Sequence, residues 1–345
     1  MKYPRLTIAF SLIFVCLSSH VSTFAQPQTA NLERALSWLP LDTETVFVAK
    51  GPFTMPAAFP THEPVTDKAT DQEVDRLLQS LPVALFDTGK GRLLAQLKGQ
   101  QVDVAIEGSR HARPPYGLGE QPYEGAAIVI FAPGSQITPN AVLQSLQGES
   151  VRSEEIQGTH VLVFQEKMEE DLWTMYVAFP GKDVAVVATD RGYLEEVLTR
   201  RKGGDAQKRA LPDSLPEWRF IDQKAAYFGM RHYDRNQAKS DPSSPFGGKK
   251  AANFPDERAI GFAFSIDTAK PRRVTMTYLS GDLAMTPEQS PLRILTTAPE
   301  ARNIDSQLRS VGPGVVQVSS SFKTVEGLDF FVLLLEGFMG HAIYL

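Results

Sequence analysis

The chain has 345 residues, a formal net charge of −5 and one cysteine, Cys16. It contains no block of five or more lysines and arginines, and an acidic chain of this kind argues against nucleic acid or an anionic membrane surface as partner. Cys16 falls in an N-terminal segment read below as cleaved, so disulfides, thiolate catalysis, iron–sulfur clusters and cysteine zinc sites are excluded from the rest.

Lys2 and Arg5 give the chain a positive start, and IAFSLIFVCL (8–17) is too short to span a membrane as a stable helix. Thr23-Phe24-Ala25 puts small residues at the two positions a signal peptidase inspects. Residues 1–25 are therefore predicted to be a secretory signal cut near Ala25, with export to the periplasm or the extracellular space. Losing Lys2 and Arg5 takes the net charge from −5 to −7. Lipoprotein processing at Cys16 is disfavoured because Phe14 and Val15 are large where small residues are needed. The remaining 320 residues (345 less 25) suffice to bury a core without disulfides.

NLERALSW (31–38) predicts a short helix capped by Asn31 and stopped near Pro40. TETVFVAKG (43–51) predicts a strand, followed by a proline-rich connection over 51–65. DQEVDRLLQSL (71–81) repeats Val74, Leu77, Leu78 and Leu81 at helical spacing, with Asp71 as cap. QVDVAIEG (101–108) and GAAIVIFA (125–132) read as strands around a loop at 109–123, and TPNAVLQSLQG (138–148) as a helix. THVLVFQ (159–165), LWTMYVAF (172–179) and DVAVVATD (183–190) add strands. The helix after Asp190 carries Tyr193, Leu194, Val197 and Leu198 as its apolar stripe and ends at Gly203-Gly204.

Residues 205–216 are the predicted linker between a first half, 26–204, and a second half, 217–345. The second half opens with a strand at 222–234 and a polar loop at 235–257. A hairpin at 258–267 and 272–282 follows. One or two helices are expected over 287–310, then a strand at 315–323 and an apolar C-terminal run, 328–345, read as a buried helix. Each half places Leu-Pro before a strand, then a loop, alternating strands and a helix. The expected fold class is α+β, predominantly antiparallel sheets with packed helices, the halves forming a duplicated unit.

LPLDTETVFVAKGPF (39–53) just after the signal, with AVVATDRGYLEEVL (185–198) closing the first half, resembles uncharacterised secreted bacterial proteins of unknown-function families that share a Leu-Pro-x-Asp-Thr approach to a strand. The resemblance implies export and a mixed α+β fold. It implies no catalytic residue.

Known chemical signatures are sparse. The strand–turn–helix at 184–202 has one turn glycine, Gly192, where a dinucleotide site needs three, and Gly117-Leu118-Gly119 is followed by Pro122 in the third place. Glu166, Glu169, Glu170 and Asp171 lack the glycine-turned loop of calcium sites, and the histidines show no metal-ligand spacing. Ser320 and Lys323 match Ser-x-x-Lys but sit on a strand, where a three-residue offset separates them. No cofactor and no metal site is expected.

The remaining candidate catalytic group is His232, Asp234 and Arg231, at a strand end that feeds the loop 235–257. On a strand, His232 and Asp234 share a face about 7 Å apart, and Arg231 takes the other. The preferred function is a non-enzymatic exported binding or assembly protein, with a protein or envelope component as partner. The alternatives are a hydrolase using His232 and Asp234, and an envelope scaffold docking through 328–345.

Overall fold

The computed structural model describes residues 27–55, 74–75, 78–79, 81, 97–111, 123–134, 150–168, 171–203, 208–233, 258–269, 272–322 and 325–339. Its strands are β1 (Thr45–Thr54), β2 (Gln101–His111), β3 (Tyr123–Phe131), β4 (Ser150–Ile156), β5 (Thr159–Met168), β6 (Asp171–Gly181), β7 (Val184–Ala188), β8 (Tyr227–His232), β9 (Ala259–Asp267), β10 (Arg273–Ser280), β11 (Ile304–Gly312) and β12 (Val315–Phe322). Among the described residues the helices of twelve residues or more are α1 (Pro27–Trp38), α2 (Arg191–Lys202) and α3 (Val325–Met339).

All twelve strands belong to one antiparallel sheet in the order β11-β12-β10-β9-β8-β1-β2-β3-β7-β6-β5-β4. Strands from the first half fill one side and strands from the second half the other. They meet where Thr45–Ala49 of β1 pairs with Tyr227–Arg231 of β8. Each side opens with a three-strand meander, β1–β3 and β8–β10; a four-strand meander β4–β7 returns on one side and the hairpin β11–β12 on the other, the last strand of each pairing with the third strand. The closing helices differ, because α2 covers one face of the sheet and α3 the other.

On face I, α1 and α2 pack Leu36, Leu39, Tyr193, Leu194, Val197 and Leu198 against Val46, Ile106, Ile128, Val163 and Val186. Leu194 and Leu198 lie one helical turn apart, as do Tyr193 and Val197, which puts all four on the buried side. On face II, Leu328, Phe331, Leu335 and Phe338 of α3 recur at spacings of three and four and seal Phe262, Phe264, Met276, Tyr278 and Val318. An aromatic run crosses the seam here. Phe47 stacks on Phe264 at 6.0 Å, Phe264 on Phe262 at 6.2 Å, and Phe262 on Phe338 at 4.6 Å. Gly229 makes room for it, since a Cβ there would stand 2.6 Å from the Phe264 ring. Val74, Leu78 and Leu81, from the helix expected over 71–81, are buried in the same cluster.

The class is β-rich, not α+β with packed helices: among the described residues 47% are strand and 27% helix, the helices few and short. Two features account for the difference. β4 (SVRSEEI) and β11 (IDSQLRSVG) are the outermost strands, largely wet, so their sequences show no oily alternation. The helices expected over 287–310 are 3-10 turns and one four-residue helix, divided by Pro291 and Pro299, and the stretch ends inside β11. α1 also starts at Pro27, so Asn31 lies inside it and donates to Asp103 at 2.5 Å instead of capping. The helix expected at 138–148 lies outside the described residues. Residues 208–216, expected as linker, bury Ala210 and Leu211.

Among the described residues no helix is long and apolar enough to cross a membrane. The apolar side of α3 is committed to the sheet. Phe331→Ala should therefore cost roughly 3–5 kcal/mol in urea denaturation, and a loss under about 1 kcal/mol would contradict the packing given to α3.

Candidate functional site

β8 alternates as a strand must. Phe228 and Met230 enter the face I core, while Tyr227 enters that of face II. His232 follows on face I and Arg231 on face II, so the two candidates part company.

Arg231 is buried and reaches the C-terminal end of α3. Its Nη1 donates to the Phe338 carbonyl at 3.5 Å, and its guanidinium lies 4.8 Å over the Tyr233 ring. The Tyr233 hydroxyl donates to the same carbonyl at 3.3 Å, and Thr45 Oγ1 donates to Met339 O at 3.4 Å. The last carbonyls of a helix have no partner within it and carry its negative dipole end. Arg231, Tyr233 and Thr45 meet that need, which is a structural duty. Asp234 lies outside the described residues.

His232 meets a partner that spacing did not reveal. Its Nδ1 is 2.8 Å from Glu217 Oε1. Glu217 sits in a 3-10 helix, Pro216–Phe220, fixed by Trp218 Nε1 donating to Leu211 O and by the Asp222 amide donating to Ser265 Oγ. Gly261, the partner of His232 in β9, forms the floor: a Cβ there would stand 1.8 Å from Glu217 Oε1. The Glu217 side chain is 0% exposed and that of His232 31%. Glu217 Oε2 is buried with no hydrogen-bond partner among the described residues. A carboxylate on Nδ1 fixes the imidazole ring and its tautomer, an arrangement that general bases use.

A second cluster lies two strands away on the same face. Ladder hydrogen bonds continue from the Glu44 amide to Ser109 O at 2.9 Å and from the His232 amide to Glu44 O at 2.8 Å, so Glu44 stands in register between His232 and Arg110. Arg110 is 6% exposed and collects three carboxylates. Its Nε donates to Glu124 at 2.9 Å, Nη1 to Asp42 at 2.7 Å, and Nη1 and Nη2 form a fork on Glu196 at 3.1 and 2.9 Å. Its guanidinium lies 5.1 Å over Tyr193, whose hydroxyl is 2.8 Å from Thr43 Oγ1. Burial alone would lower the Arg110 pKa, but the bonds to Glu196, Asp42 and Glu124 outweigh it and the net is upward.

The cluster explains two sequence features together. Asp42 and Thr43 belong to the Leu-Pro-x-Asp-Thr stretch, and Tyr193 and Glu196 to the stretch that closes the first half. Arg110 and Tyr193 join them in space. Asp190 meanwhile caps α2 through the Tyr193 amide at 2.6 Å, so that helix start is occupied by its own chain. Sequence reading missed Arg110 because its partners lie 14, 68 and 86 positions away.

The other motifs come to less. His160 Nε2 is 2.7 Å from Ser153 Oγ, and Ser320 Oγ is 2.8 Å from Ser306 Oγ. Lys323, Glu169 and Glu170 lie outside the described residues. Among the described residues no three His, Cys, Asp or Glu side chains gather as metal ligands.

No family model matches this chain, and no curated protein matches it. Among solved structures, crystal form III of TP0453 is similar at 8% identity with a TM-score of 0.45, and crystal form I at 7% with a TM-score of 0.44. Each comparison covers 86% of this chain and 97% of the other. A likeness this distant carries no statement about activity.

Two predictions follow from the buried groups. Burial raises the Tyr193 phenol well above its ordinary pKa, against the opposing pull of Thr43 and Arg110, and burial raises Tyr227 as well. A folded pKa above the unfolded one means the contribution is whole below about pH 10 and is lost as pH rises beyond it. Stability should fall above about pH 10 by up to roughly 1.4 kcal/mol per pH unit for each such tyrosine. Tyr193→Phe should remove one tyrosine's share in urea denaturation at successive pH values, and an unchanged slope would refute its burial. Gly261→Ala should expel Glu217 and cost about 2 kcal/mol or more, whereas wild-type stability would show that Glu217 does not lie on that floor.

Proposed function

We propose that this chain is an exported, non-catalytic binding or assembly protein. Export rests on the signal pattern of residues 1–25, which the resemblance to uncharacterised secreted bacterial proteins also suggests. The observation that carries the binding role is the polar part of face I over β10, β12 and β11, where the side chains above a buried Thr277 reach solvent. Asp305, Gln307 and Arg309 are exposed there, and Thr275, Gln317 and Ser319 are half-buried. Arg309 Nη2 donates to Gln317 Oε1 at 2.9 Å, and Gln317 Nε2 donates to Thr277 Oγ1 at 3.2 Å, so the polar groups form a fixed array across three strands. An array of oriented donors and acceptors spread across three strands suits a polar partner surface better than a small molecule, which favours a concave pocket. The acidic net charge disfavours nucleic acid as that partner.

The hydrolase reading has one observation in its favour, the Glu217–His232 contact, which gives His232 the carboxylate a general base needs. Docking through the C-terminal helix loses ground because α3 spends its apolar side on the sheet.

Hydroxyl-radical footprinting of the exported protein, with and without envelope extract, separates the readings. Protection is expected at 305–309 and 317, unaltered by His232→Gln. Loss of that protection, together with ester hydrolysis that His232→Gln lowers by about 10²-fold or more, would replace the binding role with the catalytic one. The mature protein is expected to begin at Gln26 by intact mass, and an N-terminus that retains residues 1–25 would remove the argument for export.

A further inference from the structure

β4 ends the sheet. Its inner edge pairs with β5 over Ser150–Ile156, through a two-residue turn whose residues Gln157 and Gly158 both take positive φ, and among the described residues no strand pairs with its outer edge. Such an edge offers a row of unpaired backbone donors and acceptors, and proteins commonly place charges there to keep other strands away. The charges on β4 have a different property: Arg152 and Glu154, opposite in sign, flank Ser153, the middle residue of the strand.

Two copies of β4 laid antiparallel about a two-fold axis keep their faces, so directly opposed residues must have the same parity and the axis must pass through a residue. An axis at Arg152 sets arginine against arginine, and one at Glu154 sets glutamate against glutamate. An axis at Ser153, the middle of the seven-residue strand, pairs all seven residues. In that register Arg152 of each copy opposes Glu154 of the other, and Ser150 opposes Ile156. The register of greatest overlap is thus also the register of opposite charge, and its neighbours are penalised by like charge. The side chains are placed for it: Arg152 is exposed, and Glu154 is held in position by Arg191 at 2.8 Å on the same face.

We propose that the outer edge of β4 is a self-association surface, through which two copies of this chain pair antiparallel about Ser153 and extend the sheet across the dimer. This stands whether or not the polar face of β10, β12 and β11 binds a partner.

Across such a pair the two copies of position 153 would have Cα atoms about 4.5–5.5 Å apart, inside the range a disulfide spans. Position 155 would face position 151, leaving its two copies roughly 14 Å apart. In the full chain carrying Cys16→Ser, Ser153→Cys should give a disulfide-linked dimer under mild oxidation and Glu155→Cys should not. Sedimentation equilibrium should show a reversible dimer that Arg152→Glu weakens by about tenfold or more, since it sets glutamate against glutamate twice. Circular dichroism checks that Arg152→Glu still folds, and if it does not, the cysteine pair decides. A monomer throughout, equal cross-linking at both positions, or a dimer indifferent to Arg152→Glu in a folded protein would overturn the proposal.

Discussion

The pairing of β1 with β8 is the constraint on which the rest of this structure depends. Five residues of each strand, Thr45–Ala49 and Tyr227–Arg231, join the strands of the two halves into one sheet. Because the sheet is continuous, each face is one surface. The aromatic run from Phe47 to Phe338 can cross from the first half to the last helix, and a single residue of β8 can send its neighbours to two different jobs. Arg231 closes α3 on face II while His232 grips Glu217 on face I.

The seam also explains where polar groups are tolerated. Arg110, Glu44 and His232 lie in one row across β2, the approach to β1, and β8, and Glu217 lies over Gly261 of β9 at the same end of face I. Burying charge is costly unless it is paired and hydrogen-bonded. Arg110 satisfies three carboxylates at once, which suits an interlock between α2 and the sheet. Glu217 is fully buried, and its Oε2 has no hydrogen-bond partner among the described residues.

Legibility in the sequence tracked distance along the chain. The Asp190 cap and the stripe of Tyr193, Leu194, Val197 and Leu198 were readable because every determinant lies within one helix. The split of Arg231 from His232 follows from the two-residue period of a strand. Glu217 was not readable, because it reaches His232 from a turn fifteen positions upstream. Arg110 was hidden for the same reason, and it was assigned to a loop although it lies within β2, next to His111 at the end of the strand. β4 and β11 were missed because edge strands need no oily side, and a polar stretch containing one leucine reads as easily as helix or loop. The fold class was misjudged through those two strands and through the prolines that cut 287–303 into turns.

Native-state hydrogen exchange across the seam tests the account most directly. The His232 amide, bonded to Glu44 O, and the Lys50 amide, bonded to Ala226 O, bracket the β1–β8 pairing. If the sheet is one cooperative body, both should exchange only through global unfolding, at the free energy found by denaturant melting. Exchange of these two amides together with β8–β12 at a clearly lower free energy, while β2 and β3 stay protected, would mean two separable units, and the account of a single sheet would fail.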